Sequence, residues 1–257
     1  MPLYVVSTPI GNLEDVTLRA LDVLSRADLV ACEDTRVARR LFARHNIRAS
    51  LTPFHEHNER RRAPELAELA ASGKSVALVT NAGTPSVSDP GFRLVRECLE
   101  RGVPVIPIPG ASAVMAALVA SGLPTHRFVF LGFLPRKPNA LRRELASVAS
   151  LEGSLVAFES PQRLAGTLRA AFEVLGPRRA CIARELTKLH EELVRGTLGE
   201  LAERYERSPP RGECTLVIEG VTRPGAGSGH GPREPRAALD MAGPAGTMPL
   251  GQEREAT

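Results

Sequence analysis

Aromatic residues and long apolar runs are scarce in this chain of 257 residues. It contains no tryptophan, two tyrosines and eight phenylalanines, which together make up 4% of the residues. A protein that binds single-stranded nucleic acid by stacking bases on aromatic rings needs such side chains, so the composition disfavours that class. No apolar run approaches the roughly 20 residues of a membrane helix, and the first residues lack the basic and apolar segments of a signal peptide.

Cysteine is also sparse. The four cysteines, Cys32, Cys98, Cys181 and Cys214, are widely separated and form no C-x-x-C pair. Disulfide frameworks are typical of short secreted chains. We therefore expect reduced thiols in the core of a soluble, cytoplasmic protein. The content of 43% hydrophobic and 24% charged residues is typical of a globular chain.

The charge balance is mildly basic, with a net charge of +4 and 30 arginines among the 33 basic residues. Such an excess is compatible with nucleic-acid binding without establishing it. The local clusters, such as "ERRR" at 59–62 and "LPRKP" at 134–138, fit an RNA backbone and solvated helix faces equally well.

Apolar strands and amphipathic helices alternate along the first half of the chain. Strands are predicted at 3–7, 28–32, 76–80 and 103–107. Helices are predicted at 17–26, near 36–45, at 58–73 and at 112–121, with Asn58 as the N-cap of the third. A further helix is predicted to begin at Asp89 and Pro90, with Asp89 as its N-cap and Pro90 as its first residue. Repeated units of this length favour a mostly parallel sheet covered on both faces.

A second series of elements follows residue 123. Strands are predicted at 128–132, 154–158, 179–184, 192–195 and 214–219, with helices near 139–150, 160–175 and 198–205. We therefore predict an N-terminal α/β domain at 1–122 and a C-terminal α/β domain at 123–220. Residues 221–257 hold seven glycines and five prolines without an apolar period, and we predict that this tail is disordered.

Three loops of the first half place glycine and proline just after a predicted strand. They are "STPIGN" at 7–12, "TNAGTPSVSDPG" at 80–91 and "PIPGASA" at 107–113. Each loop alone is more often structural, but together they predict a small-molecule site at the carboxyl ends of the strands. Asp34 is either a helix N-cap or a ribose contact, and Asp89 is interpreted mainly as a helix cap.

The chain lacks the common nucleotide fingerprints. Neither G-x-G-x-x-G nor G-x-x-x-x-G-K-[ST] occurs after a predicted strand. The three loops contain almost no lysine or arginine, which fits a ligand without a polyphosphate. S-adenosylmethionine, which carries a sulfonium cation, is such a ligand.

The sequence resembles the tetrapyrrole methylase-like class of S-adenosylmethionine enzymes, and within it the branch that methylates 16S ribosomal RNA. The motifs that carry the resemblance run in order from Thr8 to Gly220: "TPIGNLEDVTLRAL", "ACEDTR", "FHEHNE", "AGTPSVSDPGFRLV", "PGASAV", "ASGLP", "GFLPRK", "FESPQRL", "ARELTKLHEE" and "GECTLVIEG". The resemblance implies two α/β domains with the methyl donor in the cleft between them, a homodimer, and no metal. The implied reaction is methyl transfer to the ribose 2′-hydroxyl of a cytidine.

Three features depart from the family pattern. Asn81 stands where the family usually has an acid, which removes a charge, and Gln162 stands where it often has histidine. A Gly/Pro-rich tail replaces the helical module that members can carry after the second domain.

The resemblance also implies roles for particular residues. The donor-binding candidates are Pro9, Gly11, Asn12, Gly83, Thr84, Pro85, Ala111, Ser112 and Ala113, with Phe158, Leu186 and Thr215 on the adenine side. The candidates for the proton acceptor are Lys188, Glu185, His55 and Glu56, and a lysine needs desolvation to serve as a base. The candidates for RNA contacts are Arg60, Arg61, Arg62, Arg136, Lys137 and Arg184.

Two alternative functions stay open at the level of sequence. A tetrapyrrole methyltransferase of the same fold would use arginines to bind substrate carboxylates. A non-catalytic RNA-binding module would bind no methyl donor. His55 and His57 lack a third metal ligand at helpful spacing, which disfavours a metal site.

Overall fold

Two five-stranded sheets carry the fold of residues 1–221, which are the residues that the computed structural model describes. The predicted disordered tail lies outside the described residues, apart from Val221. The first sheet contains β1 (Leu3–Val6), β2 (Leu29–Cys32), β3 (Leu51–Pro53), β4 (Val76–Val79) and β5 (Val105–Ile108). Its strand order is β3-β2-β4-β1-β5, and every pairing is parallel.

Five helices belong to the same part of the chain. They are α1 (Leu18–Arg26), α2 (Thr35–Arg44), α3 (Glu56–Ala71), α4 (Phe92–Glu100) and α5 (Ala113–Ser121). Apolar residues of α3 and α4 pack on one face of the first sheet, and those of α1 and α2 pack on the other. The prediction of a parallel sheet covered on both faces is therefore confirmed for the first half. Its central strand β4 is buried throughout, as its unbroken apolar run requires.

The second sheet contains β6 (Phe128–Phe133), β7 (Ser154–Glu159), β8 (Arg179–Arg184), β9 (Glu192–Thr197) and β10 (Cys214–Ile218). Its order is β6-β7-β10-β8-β9, and only the β6–β7 pair is parallel. Helices α6 (Pro138–Ser147), α7 (Pro161–Leu175) and α8 (Leu198–Arg207) cover one face. The mixed strand directions of this sheet were not evident from the alternation of elements.

Helix α5 covers the other face of the second sheet. Its buried residues Val114, Ala117 and Leu118 pack against Val156 of β7 and Val217 of β10. Because α5 ends before residue 122, it belongs to the first half of the chain in sequence. In the structure, however, it packs on the sheet of the second half. Together the described residues form one compact unit.

Two predicted helix starts are wrong. Helix α3 begins at Glu56 with His55 as N-cap, and Asn58 instead accepts a hydrogen bond from the His55 N–H at 2.9 Å. Helix α4 begins at Phe92 with Gly91 as N-cap, so Asp89 does not cap it. Strand β3 was not predicted, because three residues that include a proline give little strand signal.

Other local predictions are confirmed. Asp34 caps α2, since its Oδ1 accepts a hydrogen bond from the Arg36 N–H at 2.8 Å. All four cysteines are buried and unpaired, and burial raises the pKa of Cys32 to about 11. Within residues 1–221, we find no helix with the length and apolar character needed to cross a membrane.

Candidate functional site

A cavity of about 610 Å³ opens between the loops of the first sheet and one end of the second sheet. Its volume lies in the range of pockets that hold small molecules. The first half contributes Ile10, Ala82, Gly83, Thr84, Val87, Ser88, Asp89 and residues 112–115. The second half contributes Phe128, Phe130, Phe133, residues 158–161, Ala183, Leu186 and residues 212–215.

The loops after β1 and β4 are tied together beside this cavity. The Thr8 N–H donates to the Gly83 carbonyl at 2.9 Å, and the Gly83 N–H donates to the Thr8 carbonyl at 3.0 Å. The Ser7 and Thr84 hydroxyls are also hydrogen-bonded, at 2.8 Å. Gly83 has a φ of 76°, a left-handed conformation that favours glycine. The ends of the neighbouring parallel strands β1 and β4 thus form one continuous rim beside the cavity.

Seven of the predicted donor-binding residues line the cavity. They are Gly83, Thr84, Ser112, Ala113, Phe158, Leu186 and Thr215. The other five, Pro9, Gly11, Asn12, Pro85 and Ala111, do not line it. In the first loop, Ile10 lines the wall instead, a residue that the glycine and proline pattern did not single out.

Gly11 and Asn12 contact the turn at 185–188 from the second half. A Cβ on Gly11 would lie 2.5 Å from Lys188 Cγ and 2.8 Å from Thr187 Oγ1. The Asn12 N–H donates to that same Thr187 hydroxyl at 3.0 Å. Because Leu186 of this turn lines the cavity, these two residues position the wall without belonging to it.

Asp89 is a carboxylate in the cavity wall that sequence reasoning assigned to a helix cap. Burial and the nearby charge of Glu33 raise its pKa to about 6, although a hydrogen bond from Thr80 opposes the shift. A cation beside Asp89 would relieve the cost of its charge. The sequence signal that could have identified Asp89 as a site residue was an acid inside a Gly/Pro-rich loop after a buried strand. The cap of α4 comes instead from Glu59, whose Oε1 accepts the Gly91 and Arg93 N–H groups at 3.2 and 3.1 Å.

Lys188 lies between two carboxylates at the edge of the cavity. Its Nζ donates to Glu213 Oε2 at 2.7 Å and to Glu185 Oε1 at 3.0 Å. Burial lowers the Lys188 pKa, but the hydrogen bonds and charges of Glu213 and Glu185 outweigh it, so the net shift raises the pKa. The side chain is therefore a protonated cation and not the desolvated amine that a lysine base requires. Of the three residues, Glu213 lines the cavity.

His55 and Glu56 follow the edge strand β3 and do not line the cavity. The buried Nδ1 of His55 has no hydrogen-bond partner within residues 1–221, and its Nε2 lies 3.2 Å from Asn58 Nδ2. The rings of His55 and His57 meet edge to face with centroids 5.9 Å apart. The "FHEHNE" motif thus builds the start of α3 and, through Glu59, the start of α4.

The predicted RNA-contacting cations differ in how they are paired. Arg61 and Arg62 both contact Glu65, and Arg184 Nε lies 3.1 Å from Glu192 Oε2. Arg60, Arg136 and Lys137 are exposed, and none of them has an ion-pair partner in the described part of the chain; the last two follow directly after the cavity residue Phe133. The cavity's aromatic residues Phe128, Phe130 and Phe133 were missed, although the alternation in "FVFLGF" places the first two on one face of a strand.

The two departures from the family pattern lie outside the cavity wall. Asn81 is exposed, and its N–H donates to Glu33 Oε2 at 3.3 Å. Gln162 is exposed near the start of α7. Neither side chain lines the cavity.

Residues 2–202 match the family described as tetrapyrrole (corrin/porphyrin) methylases. The chain belongs to this family. Within the tetrapyrrole methylases, a ribosomal RNA small subunit methyltransferase I from Mesorhizobium japonicum is 51% identical over 84% of this chain and 74% of that protein. A protein of the same name from Thermotoga maritima is 46% identical over 85% of this chain and 98% of its own length.

Solved structures of other methyltransferases share the fold. A cobalt precorrin-4 methyltransferase aligns with a TM-score of 0.64 at 19% identity, over 85% of this chain and 94% of that one. A uroporphyrin-III C-methyltransferase from Thermus thermophilus, complexed with S-adenyl homocysteine, aligns with a TM-score of 0.56 at 23% identity, over 85% and 97%. At these identities the likeness concerns the fold alone.

Proposed function

We propose that this tetrapyrrole methylase is an S-adenosylmethionine-dependent methyltransferase that acts on ribosomal RNA. Its target is the ribose 2′-hydroxyl of a cytidine in the 16S RNA of the small subunit. The observation that carries the proposal is the cavity at the joined ends of β1 and β4 in a chain whose relatives at 40–51% identity are named small subunit ribosomal RNA methyltransferases.

The methyl donor occupies the cavity, with Asp89 facing its positive charge. S-adenosylmethionine carries a sulfonium and an ammonium group, and a carboxylate with a raised pKa gains most from such a partner. Gly83, Thr84, Ser112 and Ala113 then supply a small, polar rim on one side. The remaining candidates Pro9, Gly11, Asn12, Pro85 and Ala111 support this rim from outside the cavity.

In the reaction, the 2′-oxygen forms a bond to the methyl carbon while the bond from that carbon to sulfur breaks. The sulfonium becomes a neutral thioether, and the hydroxyl proton passes to a base. Alignment of the two reactants supplies on the order of 7–11 kcal/mol in favourable cases. A positioned base adds about 10²–10⁴-fold.

The proton-handling group is the cluster of Lys188, Glu185 and Glu213. Because Lys188 is held as a cation, a carboxylate accepts the proton, and Glu213 is the one that lines the cavity. Lys188 holds that carboxylate in position through the hydrogen bond from its Nζ to Glu213 Oε2 at 2.7 Å. His55 and Glu56 are the weaker candidates, since they follow an edge strand away from the cavity.

Further features complete the proposal. The N-terminal domain spans 1–122 and the C-terminal domain spans 123–220. The protein acts as a homodimer. It works in the cytoplasm, where ribosomes are assembled. The exposed cations Arg60, Arg136 and Lys137 contact RNA phosphates. Arg61, Arg62 and Arg184 do so after they exchange their carboxylate partners for phosphates.

The deciding experiment maps 2′-O-methyl groups in ribosomal RNA from cells with and without this protein. One cytidine of the 16S RNA loses its ribose methyl group when the protein is absent and regains it on complementation. An unchanged methylation map overturns the RNA assignment. Incubation of the protein with labelled donor and a tetrapyrrole tests the rival substrate, and calorimetric titration with S-adenosylmethionine tests the rival of a non-catalytic RNA-binding module.

A further inference from the structure

Half of the protein's phenylalanines line one wall of the cavity. Phe128, Phe130, Phe133 and Phe158 are four of eight in the whole chain. The Phe158 ring lies in the middle, with the Phe130 centroid at 5.0 Å and the Phe133 centroid at 5.4 Å. A chain with few aromatic residues thus concentrates them at its candidate active site.

Phe133 reaches this wall through an irregularity in β6. In a regular strand, Phe128 and Phe130 share a face, and residue 133 would point to the opposite one. The register against β7 shifts between Phe130 and Phe133, and Gly132 has a left-handed φ of 65°. Such bulges re-aim side chains next to active sites. As a result Phe133 faces the cavity, yet the residue is 66% exposed.

The segment after Phe133 is held in place by an arginine that pairs with a buried carboxylate. Arg163 Nη2 donates to the carbonyls of Leu134 and Pro135 at 3.2 and 2.7 Å, and it lies 3.1 Å from Glu159 Oε2. The Glu159 side chain is 1% exposed and also accepts from the Thr167 hydroxyl at 2.6 Å. Arg163 is therefore a positioning residue for the segment that follows the cavity residue Phe133.

Arg136 and Lys137 follow Phe133 by three and four residues and place two exposed cations in the same segment. Neither has an ion-pair partner among residues 1–221, in contrast to Arg61, Arg62 and Arg184. An exposed aromatic ring beside two free cations matches the chemistry of an unstacked nucleotide, which presents a π-face and a phosphate. The low content of 4% aromatic residues disfavours base stacking across the protein surface as a whole. It does not disfavour stacking at this site, because half of the phenylalanines lie there.

We propose that Phe133 stacks on a nucleobase of the ribosomal RNA at the mouth of the cavity, and that Arg136 and Lys137 bind the adjoining phosphates. This inference rests on the proposed RNA methyltransferase function. It adds the site through which the RNA strand enters and the residue that holds its base.

The test compares Phe133→Ala, Phe133→Trp and the control Phe92→Ala, whose ring on α4 is 65% exposed but does not line the cavity. Methylation of small ribosomal subunits from cells lacking the protein gives KM and kcat, and calorimetry gives the Kd for S-adenosylmethionine. Phe133→Ala raises KM for the subunit about tenfold or more, because one stacked base is lost. The Kd for the donor stays unchanged, Phe133→Trp restores KM, and Phe92→Ala matches the wild type.

Each other outcome overturns a defined statement. An unchanged KM in Phe133→Ala overturns the inference and leaves the RNA methyltransferase function intact. An equal loss of donor affinity assigns Phe133 to the donor pocket and also overturns it. A wild-type protein that methylates neither subunits nor free 16S RNA overturns the proposed function first. The double variant Arg136→Ala/Lys137→Ala lowers the salt dependence of RNA binding by about 0.7 per lost phosphate contact, and an unchanged slope refutes the phosphate contacts.

Discussion

At the scale of single residues, the charge of the cavity depends on Asp89 and its surroundings. Burial and, after it, the charge of Glu33 raise the Asp89 pKa, and Glu33 also accepts the N–H of Asn81. An acid at position 81 would add a third negative charge to this cluster, so asparagine there limits the mutual repulsion. The remaining carboxylates suit a cationic ligand, which partly neutralises them.

Donor affinity is expected to fall as the pH drops through about 6, the pKa of Asp89. Above that pH the ionised carboxylate attracts the donor cation, and below it the proton removes the charge. Asp89→Asn is expected to raise the Kd for the donor about tenfold at pH 7.5, which corresponds to a loss of about 1.4 kcal/mol of binding free energy. In this variant the Kd no longer changes with pH near 6. Calorimetric titrations from pH 5 to 8 measure both effects.

The same substitution is expected to preserve or raise stability at pH 7.5. With its pKa raised from 3.8, folded Asp89 holds its proton more tightly than in the unfolded chain. The free energy of unfolding therefore falls as the pH rises from about 4 to about 6, and asparagine removes that loss. A marked drop in melting temperature for Asp89→Asn would mean that the weaker binding reflects damage to the fold.

Gly11→Ala is expected to destabilise the protein by about 1–3 kcal/mol and to weaken donor binding, because the new methyl group collides with the turn that carries Lys188. Gly166→Ala is the matched control. Its Cβ meets nothing within 4 Å, and alanine in a helix is favoured by roughly 0.5–1 kcal/mol. Chemical denaturation and donor titration of both variants separate the steric effect from the loss of a glycine.

At the scale of elements, one helix start is capped by a side chain from another helix. The start of α4 lacks a side-chain cap of its own and receives Glu59 from α3. The carboxylate faces the positive end of the helix dipole, which stabilises it. The same contact joins α3 to α4 on one face of the first sheet.

Glu59→Gln is expected to lower the free energy of unfolding by about 0.5–1 kcal/mol, since the amide oxygen keeps the acceptor and loses the charge at the helix end. Glu68→Gln, on the same helix, weakens only an ion pair to Arg101 at 3.8 Å from a side chain that is 75% exposed, so it should have a smaller effect. Urea denaturation at low ionic strength compares the two variants. Equal effects would indicate that the contact to α4 contributes nothing.

At the scale of the whole molecule, the chain crosses from one sheet to the other before α5. This helix is apolar on most sides, and its buried residues face β7, β8 and β10. The two sheets therefore share the segment at 109–123, and the loop before α5 contributes Ser112 to the cavity. Separating the chain at residue 122 would expose the apolar face of the second sheet on which α5 packs.

Leu118→Ala is expected to cost about 2–5 kcal/mol and to speed amide exchange in β8 and β10 more than in β2, because Leu118 is 1% exposed and packs on the second sheet. Leu24→Ala, in the core of α1 and β2, should show the reverse pattern. Hydrogen exchange followed by mass spectrometry reads both. Fastest exchange around β2 in Leu118→Ala would place α5 energetically with the first sheet.

Most elements were predictable because their signals are local. The apolar run of β4 and the caps Thr17, Asp34 and Ser112 mark strands and helix starts in the sequence itself. Strand β3 and the start of α4 were not, since a three-residue edge strand and a cap from another helix depend on neighbours far along the chain.

The sequence by itself determined the alternation of strands and helices, the three Gly/Pro loops at strand ends and the family. These properties follow from backbone preferences and apolar periodicity within short segments. Only the tertiary structure decided that Asp89 faces the cavity, that Lys188 is paired as a cation and that four phenylalanines meet on one wall. Each of these depends on contacts between residues that are separated along the chain, such as Lys188 with Glu213, Phe130 with Phe158 and Asp89 with Glu33. Burial and charge act through such contacts, which the local sequence does not reveal.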